Sequence, residues 1–188
     1  DSCGLCDTNV PHDYVTLDSG KVRFPVIGFG TAGLGDTTHQ SVSWALEAGY
    51  QHFDSAQARE WYREDLVGSA LAHAVSKNRG NVFLTSKLHP RDLGYNRTLQ
   101  QFANSLRDLR TSYLDLFLLH YPRCWGDLCG PDGPEGTWQD SWRALEELYR
   151  TGAVRLIGVA LVRFASVRPH VVQANSDPLN PNEDLQAV

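Results

Sequence analysis

Short apolar runs alternate with longer stretches of helical period along most of this chain. Tyr14–Leu17 and Lys21–Phe24 are brief alternating runs joined by Asp18-Ser19-Gly20, a pattern that predicts a β-hairpin. Val26–Gly30 reads as a buried strand, and Thr38–Ala48 as a helix with capping candidates at Asp36–Thr38 and Gly49 as its stop. The same alternation continues with a strand at Gln51–Asp54, a helix at about Trp61–Val75, a strand at Val82–Lys87 and a helix at Thr98–Leu109. Leu114–His120 is a strongly apolar strand, Thr137–Thr151 a helix ended by Gly152, Val154–Val159 a strand, and Val171–Asn175 a further strand.

Strands that alternate with helices require a parallel sheet with right-handed crossovers. Continuous apolar strands fit a sheet buried on both faces. Two architectures satisfy this, an open doubly wound sheet and a (β/α) barrel. Gly28-Phe29-Gly30-Thr31-Ala32-Gly33 carries a G-x-G-x-x-G spacing, a weak signal because glycine-rich βα loops are common.

Polar residues at strand ends bear on that choice. Three successive strands end at Asp54, Lys87 and His120. In a (β/α) barrel, catalytic groups stand at the C-terminal strand ends on one face. Neighbouring strands lie about 4.8 Å apart, so three such side chains converge on one pocket. Taken singly, Asp54 reads as a turn residue, Lys87 as a solvated lysine and His120 as a hydrogen-bonded core histidine. Their equivalent positions in consecutive units favour function.

The motifs around these residues resemble those of the aldo-keto reductases. The resemblance runs from about Tyr14 to Val159 and resumes at Pro169–Pro178. Ile27-Gly28-Phe29-Gly30-Thr31 is similar to the family's opening strand, and Gly49-Tyr50-Gln51-His52-Phe53-Asp54-Ser55-Ala56 to its G-Y-R-x-x-D-T-A segment. Thr85-Ser86-Lys87-Leu88, Leu114–Pro122 and Gly152–Val159 resemble its lysine, L-D-x-x-x-x-H-x-P and G-x-x-R-x-I-G-V strands. The resemblance implies an α/β fold, an incomplete (β/α)8 TIM-type barrel with an N-terminal β-hairpin and about six strands retained. It implies an oxidoreductase that reduces carbonyls to alcohols with NADP(H), NAD(H) being the lesser choice, and with no metal. A tyrosine would act as general acid, Lys87 would favour its phenolate, Asp54 would hold Lys87, and His120 would orient the carbonyl. Gly30, Thr31, Ala32, Asp54 and Gln173 would contact the cofactor.

The chain departs from the pattern in three places. Position 59, where the family tyrosine is expected, is arginine. Alignment on Glu64 and Val67-Gly68 implies an insertion of about two residues, which puts Trp61 at the tyrosine position and Tyr62 one place beyond. One residue turns a helical side chain by about 100°, so Tyr62 is the acid only if the loop is rebuilt. After the fifth strand, Ala160-Leu161 replace the family's Ser-Asn, and too few residues precede Pro169 to hold the usual crossover helix. A full barrel takes roughly 250 residues, so the last two units, which carry phosphate and adenosine contacts in the family, are not expected here. The alternative to a reductase is a catalytically inactive barrel fragment acting as a binding or regulatory protein.

Composition narrows the partners. With 188 residues, 41% hydrophobic and 21% charged, the chain reads as a folded domain. A formal net charge of −5 argues against nucleic acid. No apolar run approaches the roughly 18 residues that cross a bilayer. The expected partner is a small-molecule carbonyl substrate, with self-association through the open barrel edge a second expectation. Three segments follow: an N-terminal extension at 1–13 containing Cys3 and Cys6, the reductase-like partial barrel at 14–175, and a polar tail at 176–188. The first residue is Asp, which suggests a processed product or a fragment.

Cys3/Cys6 and Cys124/Cys129 read as two local disulfides, as free thiols in loops or, less readily, as one four-thiolate zinc site. Asn96-Arg97-Thr98 matches a glycosylation acceptor. Together these slightly favour the secretory lumen or the extracellular space over the cytoplasm. The Cys124–Gly136 stretch follows the His120 strand and reads either as a rim of the substrate pocket or as a surface loop. Trp138, Trp142 and Tyr149 read as packing residues on the following helix, and Glu146-Glu147 as its solvated face.

Overall fold

The computed structural model describes residues 13–159 and 168–173. Cys3, Cys6, Ala160-Leu161 and the 176–188 tail lie outside the described residues. The N-terminal hairpin pairs β1 (Tyr14–Leu17) with β2 (Val22–Pro25) antiparallel, Tyr14 opposite Pro25. Its turn closes through Lys21 N–H donating to Asp18 O at 3.1 Å. Ser19 and Gly20 both take positive φ, 55° and 87°, the sense that matches the twist of a tight hairpin.

Five parallel strands then follow in simple order: β3 (Gly28–Gly30), β4 (His52–Asp54), β5 (Phe83–Leu88), β6 (Leu114–Leu119) and β7 (Val154–Val159). Between them run α1 (Thr38–Glu47), α2 (Glu64–Asn78), α3 (Tyr95–Asp108) and α4 (Trp138–Arg150). Sequential order without a switch point is the order of a barrel wall, and it decides against the doubly wound alternative.

Both sheet faces are buried, which explains the unbroken apolar strands. Phe117 and Leu119 of β6 join the layer under Val67, Phe102 and Trp142 of the helices. Leu116 and Leu118 of the same strand turn to the opposite face, where Phe83, Leu156 and Val22 of the hairpin meet them. Burying such a side chain contributes about 1.5–3 kcal/mol, so this two-faced core is what holds the strand ends in place. Among the described residues, no helix is long and apolar enough to cross a membrane.

Several boundaries move from their sequence positions. α2 begins at Glu64, not Trp61, because Trp61 and Tyr62 donate their backbone N–H groups to Ala58 O and close a separate turn. α3 begins earlier, at Tyr95, after Gly94 at φ 129°. That glycine packs so closely on the chain ahead of α4 that a Cβ would stand 3.1 Å from Gly136 N. Trp142 is buried, and its Nε1 donates to Glu146 Oε1 at 3.0 Å. Glu146 is therefore a buried acceptor, not part of a solvated face. Asn96 is exposed in the first turn of α3, while Thr98 is buried with its hydroxyl donating to Gly94 O.

The sixth strand is present as one parallel bridge, Val171 beside Gly158. Val159 N–H donates to Val171 O at 3.2 Å and His170 N–H to Ile157 O at 2.8 Å. The approach needs a glycine: a Cβ on Gly158 would stand 2.2 Å from Val171 O and 2.5 Å from Leu118 Cδ2. Gly158→Ala is expected to destabilise the chain by about 1–3 kcal/mol, the cost of overpacking. Urea unfolding followed by circular dichroism checks it, and an unchanged midpoint would show that residues 169–173 are not held by this contact.

Candidate active site

The site is assembled where parallel strand ends lie side by side. Gly30 pairs with Asp54, Asp54 with Thr85 and Lys87 with Leu118. The ladder continues past the strands through Thr31 N–H to Asp54 O (3.0 Å), Ser55 N–H to Thr85 O (2.9 Å), Gln57 N–H to Lys87 O (3.1 Å) and His120 N–H to Leu88 O (3.3 Å). The residues at these strand ends are thus fixed through their backbone.

Lys87 is buried, and its ammonium is paired with Asp54 Oδ1. It also donates to Ser55 O at 2.9 Å. The other Asp54 oxygen accepts from Gln173 Nε2 at 2.9 Å. Residues 119 positions apart therefore share one carboxylate. The ring of Tyr62 stands over this chain of bonds, its centroid 5.4 Å from Lys87 Nζ and 6.0 Å from the His120 ring. His120 stacks on Tyr121 at 4.7 Å.

Of the residues singled out from sequence, the structure brings Asp54, Tyr62, Lys87, His120 and Gln173 together. Ala32 lines the cavity beside them. Thr31 is buried and spends its hydroxyl on Asp54 O, at 3.0 Å, so its role is to fix the loop. Gly30 faces open space where a Cβ would be. The loop at position 59 is rebuilt so that Trp61 turns outward, 62% exposed, while Tyr62 turns in. Gly33 N–H donates to Trp61 O at 2.8 Å and ties that turn to the loop after β3.

The cavity measures about 360 Å³ and is lined chiefly by aromatic side chains, among them Trp61, Tyr62, Tyr121 and Trp125. Cys124 and Cys129 form a disulfide that closes the short loop presenting Trp125 and Leu128, so neither offers a thiolate to a metal. Sequence reasoning missed Glu60, Tyr121 and His89. His89 had a readable signal, since it stands two residues after Lys87 and strand side chains repeat every second residue.

Burial, and then the Lys87 charge, push His120 down to about 4, so its imidazole is neutral at neutral pH and offers a hydrogen bond without a charge. Burial, then the Asp54 carboxylate and Tyr121, push Tyr62 up. Glu64 at the start of α2 is buried and raised to about 7 by desolvation, although Ser86 and Ser105 hydroxyls donate to it.

His120 and Glu64 pull stability in opposite directions. Between about pH 6.5 and 4 the unfolded chain binds a proton on His120 that the folded chain refuses, so acidification costs stability. Between about pH 7 and 4.5 the folded chain binds a proton on Glu64 that the unfolded one refuses, so acidification restores it. Glu64→Gln should therefore steepen the loss of stability from pH 6.5 to 4.5, by up to about 1.4 kcal/mol per pH unit, and His120→Asn should flatten it. Denaturant midpoints measured across that range check both; parallel profiles for all three proteins would contradict the two shifts.

The aldo/keto reductase family model matches residues 26–184. The chain belongs to the aldo/keto reductase family. It is 32% identical to aldo-keto reductase family 1 member A1 of Gallus gallus, over 93% of this chain and 60% of that protein. It is 34% identical to glyoxal reductase of Bacillus subtilis, over 93% of this chain and 62% of that one. Among solved structures, the aldo-keto reductase of Bombyx mori in complex with NADP superposes with a TM-score of 0.79 at 28% identity, covering 93% of this chain and 62% of that one. The chain thus spans about three-fifths of the length of these reductases. Its fold is accordingly an incomplete α/β barrel of the reductase type.

Proposed function

We propose that this chain contributes an NADP(H)-dependent carbonyl-reducing site, with Tyr62 as proton donor. The observation that carries this reading is the buried Lys87–Asp54 pair set beside Tyr62 and His120 at the rim of one aromatic cavity. The residues present fit the reacting end of a nicotinamide cofactor. Gln173 holds its amide at the exposed side of Asp54. His120 lines the cavity, and its Nδ1 is buried without a hydrogen-bond partner among the described residues.

The chemistry that NADPH would supply when bound here is a hydride for the carbonyl carbon. Neutral His120 holds the carbonyl oxygen by a hydrogen bond and fixes its direction. Tyr62 gives its phenolic proton to that oxygen as negative charge builds there. The Lys87 ammonium, held in place by Asp54, stabilises the phenolate left behind until solvent returns the proton.

One observation favours a second reading, a catalytically inactive binding protein: the pKa of Tyr62 is pushed up, whereas an acid that works near neutrality needs it brought down. NADPH fluorescence titration separates the two. Saturable binding below millimolar concentration is the expected result, and its absence would reject the reductase reading.

A further inference from the structure

The cavity beside His120 joins aromatic walls to one negative charge. Trp61, Tyr121 and Trp125 are 62%, 40% and 50% exposed and gather at a single mouth. Tyr121 and Trp125 meet edge to face at 4.8 Å, and the Cys124–Cys129 disulfide braces the loop that carries the tryptophan. Large aromatics held open to solvent around a cavity mark a binding surface.

The charge belongs to Glu60, whose Oε1 lies 2.7 Å from His89 Nε2. The protonation of that histidine decides whether the charge survives. Arg91 N–H donates to His89 Nδ1 at 3.1 Å, so Nδ1 is an acceptor and carries no proton. The ring proton sits on Nε2 and is given to Glu60 from a neutral imidazole. Glu60 therefore keeps its full negative charge. Burial pushes its carboxyl up, but its own backbone N–H, the His89 bond and, more weakly, the electrostatic pull of His89 and Arg91 outweigh this and hold it below the ordinary range.

Among the described residues, no cationic side chain stands in the cavity to cancel that charge, since neither lysine nor arginine lines it. Of the cations nearby, Lys87 is matched by Asp54, and Arg91, whose charge reaches Glu60 from outside the cavity, is paired with Asp92 at 3.7 Å, while His120 is neutral at neutral pH. An anionic ligand meets repulsion here. A cationic one gains from the carboxylate and from the aromatic faces, each of which attracts positive charge.

We propose that the cavity selects carbonyl substrates that carry a protonated or quaternary amine, with Glu60 as the cation anchor and Trp61, Tyr121 and Trp125 as its aromatic walls. This deepens the reductase reading of the same site and rests on it for the carbonyl.

The test uses two probes without a carbonyl, benzyltrimethylammonium and its uncharged isostere neopentylbenzene, titrated into the full chain by tryptophan fluorescence without cofactor. The expected result is roughly tenfold tighter binding of the cation, with the ratio falling to about one in Glu60→Gln. A wild-type ratio near one overturns the proposal even where the variant fails to fold, and so does a ratio that Glu60→Gln leaves unchanged. Neither probe is reducible, so a failed NADPH titration would sink the reductase reading while leaving this ratio to be read.

Discussion

Lys87→Met is expected to remove carbonyl reduction and to destabilise the chain as well. Among the described residues, the ammonium is the one positive charge paired with Asp54, and both side chains are largely withdrawn from water. Methionine keeps the apolar stem but leaves the carboxylate without its countercharge. Breaking a buried pair from one side costs about 3–5 kcal/mol, since the surviving charge stays desolvated. Gln173 still donates to Asp54 and places the cost at the lower end of that range. Reduction should fall by about 10²-fold or more, because the phenolate of Tyr62 would lose its nearest cation. The double variant Lys87→Met/Asp54→Leu separates the two effects. It should recover most of the stability, because no buried charge remains, and none of the rate. Single-variant turnover within a few-fold of wild type would remove Lys87 from the mechanism, and a double variant that regains the rate would remove the pair.

The same pair shows why much of this site was legible before the fold was known. Asp54, Lys87 and His120 each close an apolar strand, and a parallel wall in sequential order must set such ends side by side. Strand pattern alone therefore carried most of the candidate site's geometry, and the two-faced core explains why the pattern was so plain. The Glu60–His89 pair was less legible because its members come from a loop and a strand end 29 residues apart, joined only by the tertiary structure. The state of Glu146 was hidden for a related reason. Helical spacing says which residues share a face, yet only the packed structure shows that Trp142 Nε1 needs a buried acceptor there. Of the expected sixth strand at Val171–Asn175, residues 174–175 lie outside the described residues, and among the described ones Val171 finds a strand partner, on Gly158.

Tyr62→Phe is expected to lower kcat by about 10²- to 10⁴-fold, the usual contribution of a positioned proton donor, with a much smaller change in KM. Alignment by family motif put Trp61 at the acid position. The turn closed on Ala58 reverses that, leaving Trp61 62% exposed and placing the Tyr62 ring beside both His120 and Lys87. Phenylalanine keeps those ring contacts and removes only the hydroxyl, so the fold and the cavity wall should survive. Trp61→Phe tests the other side of the choice. Trp61 lines the cavity mouth without an acidic hydrogen, so its truncation should act on KM and leave the proton-transfer step intact. A solvent isotope effect on kcat that persists in Trp61→Phe would agree with proton donation from Tyr62. If Tyr62→Phe retained wild-type kcat, the proton would have to come from another group, and the raised pKa of Tyr62 would then mark a packed, non-catalytic tyrosine.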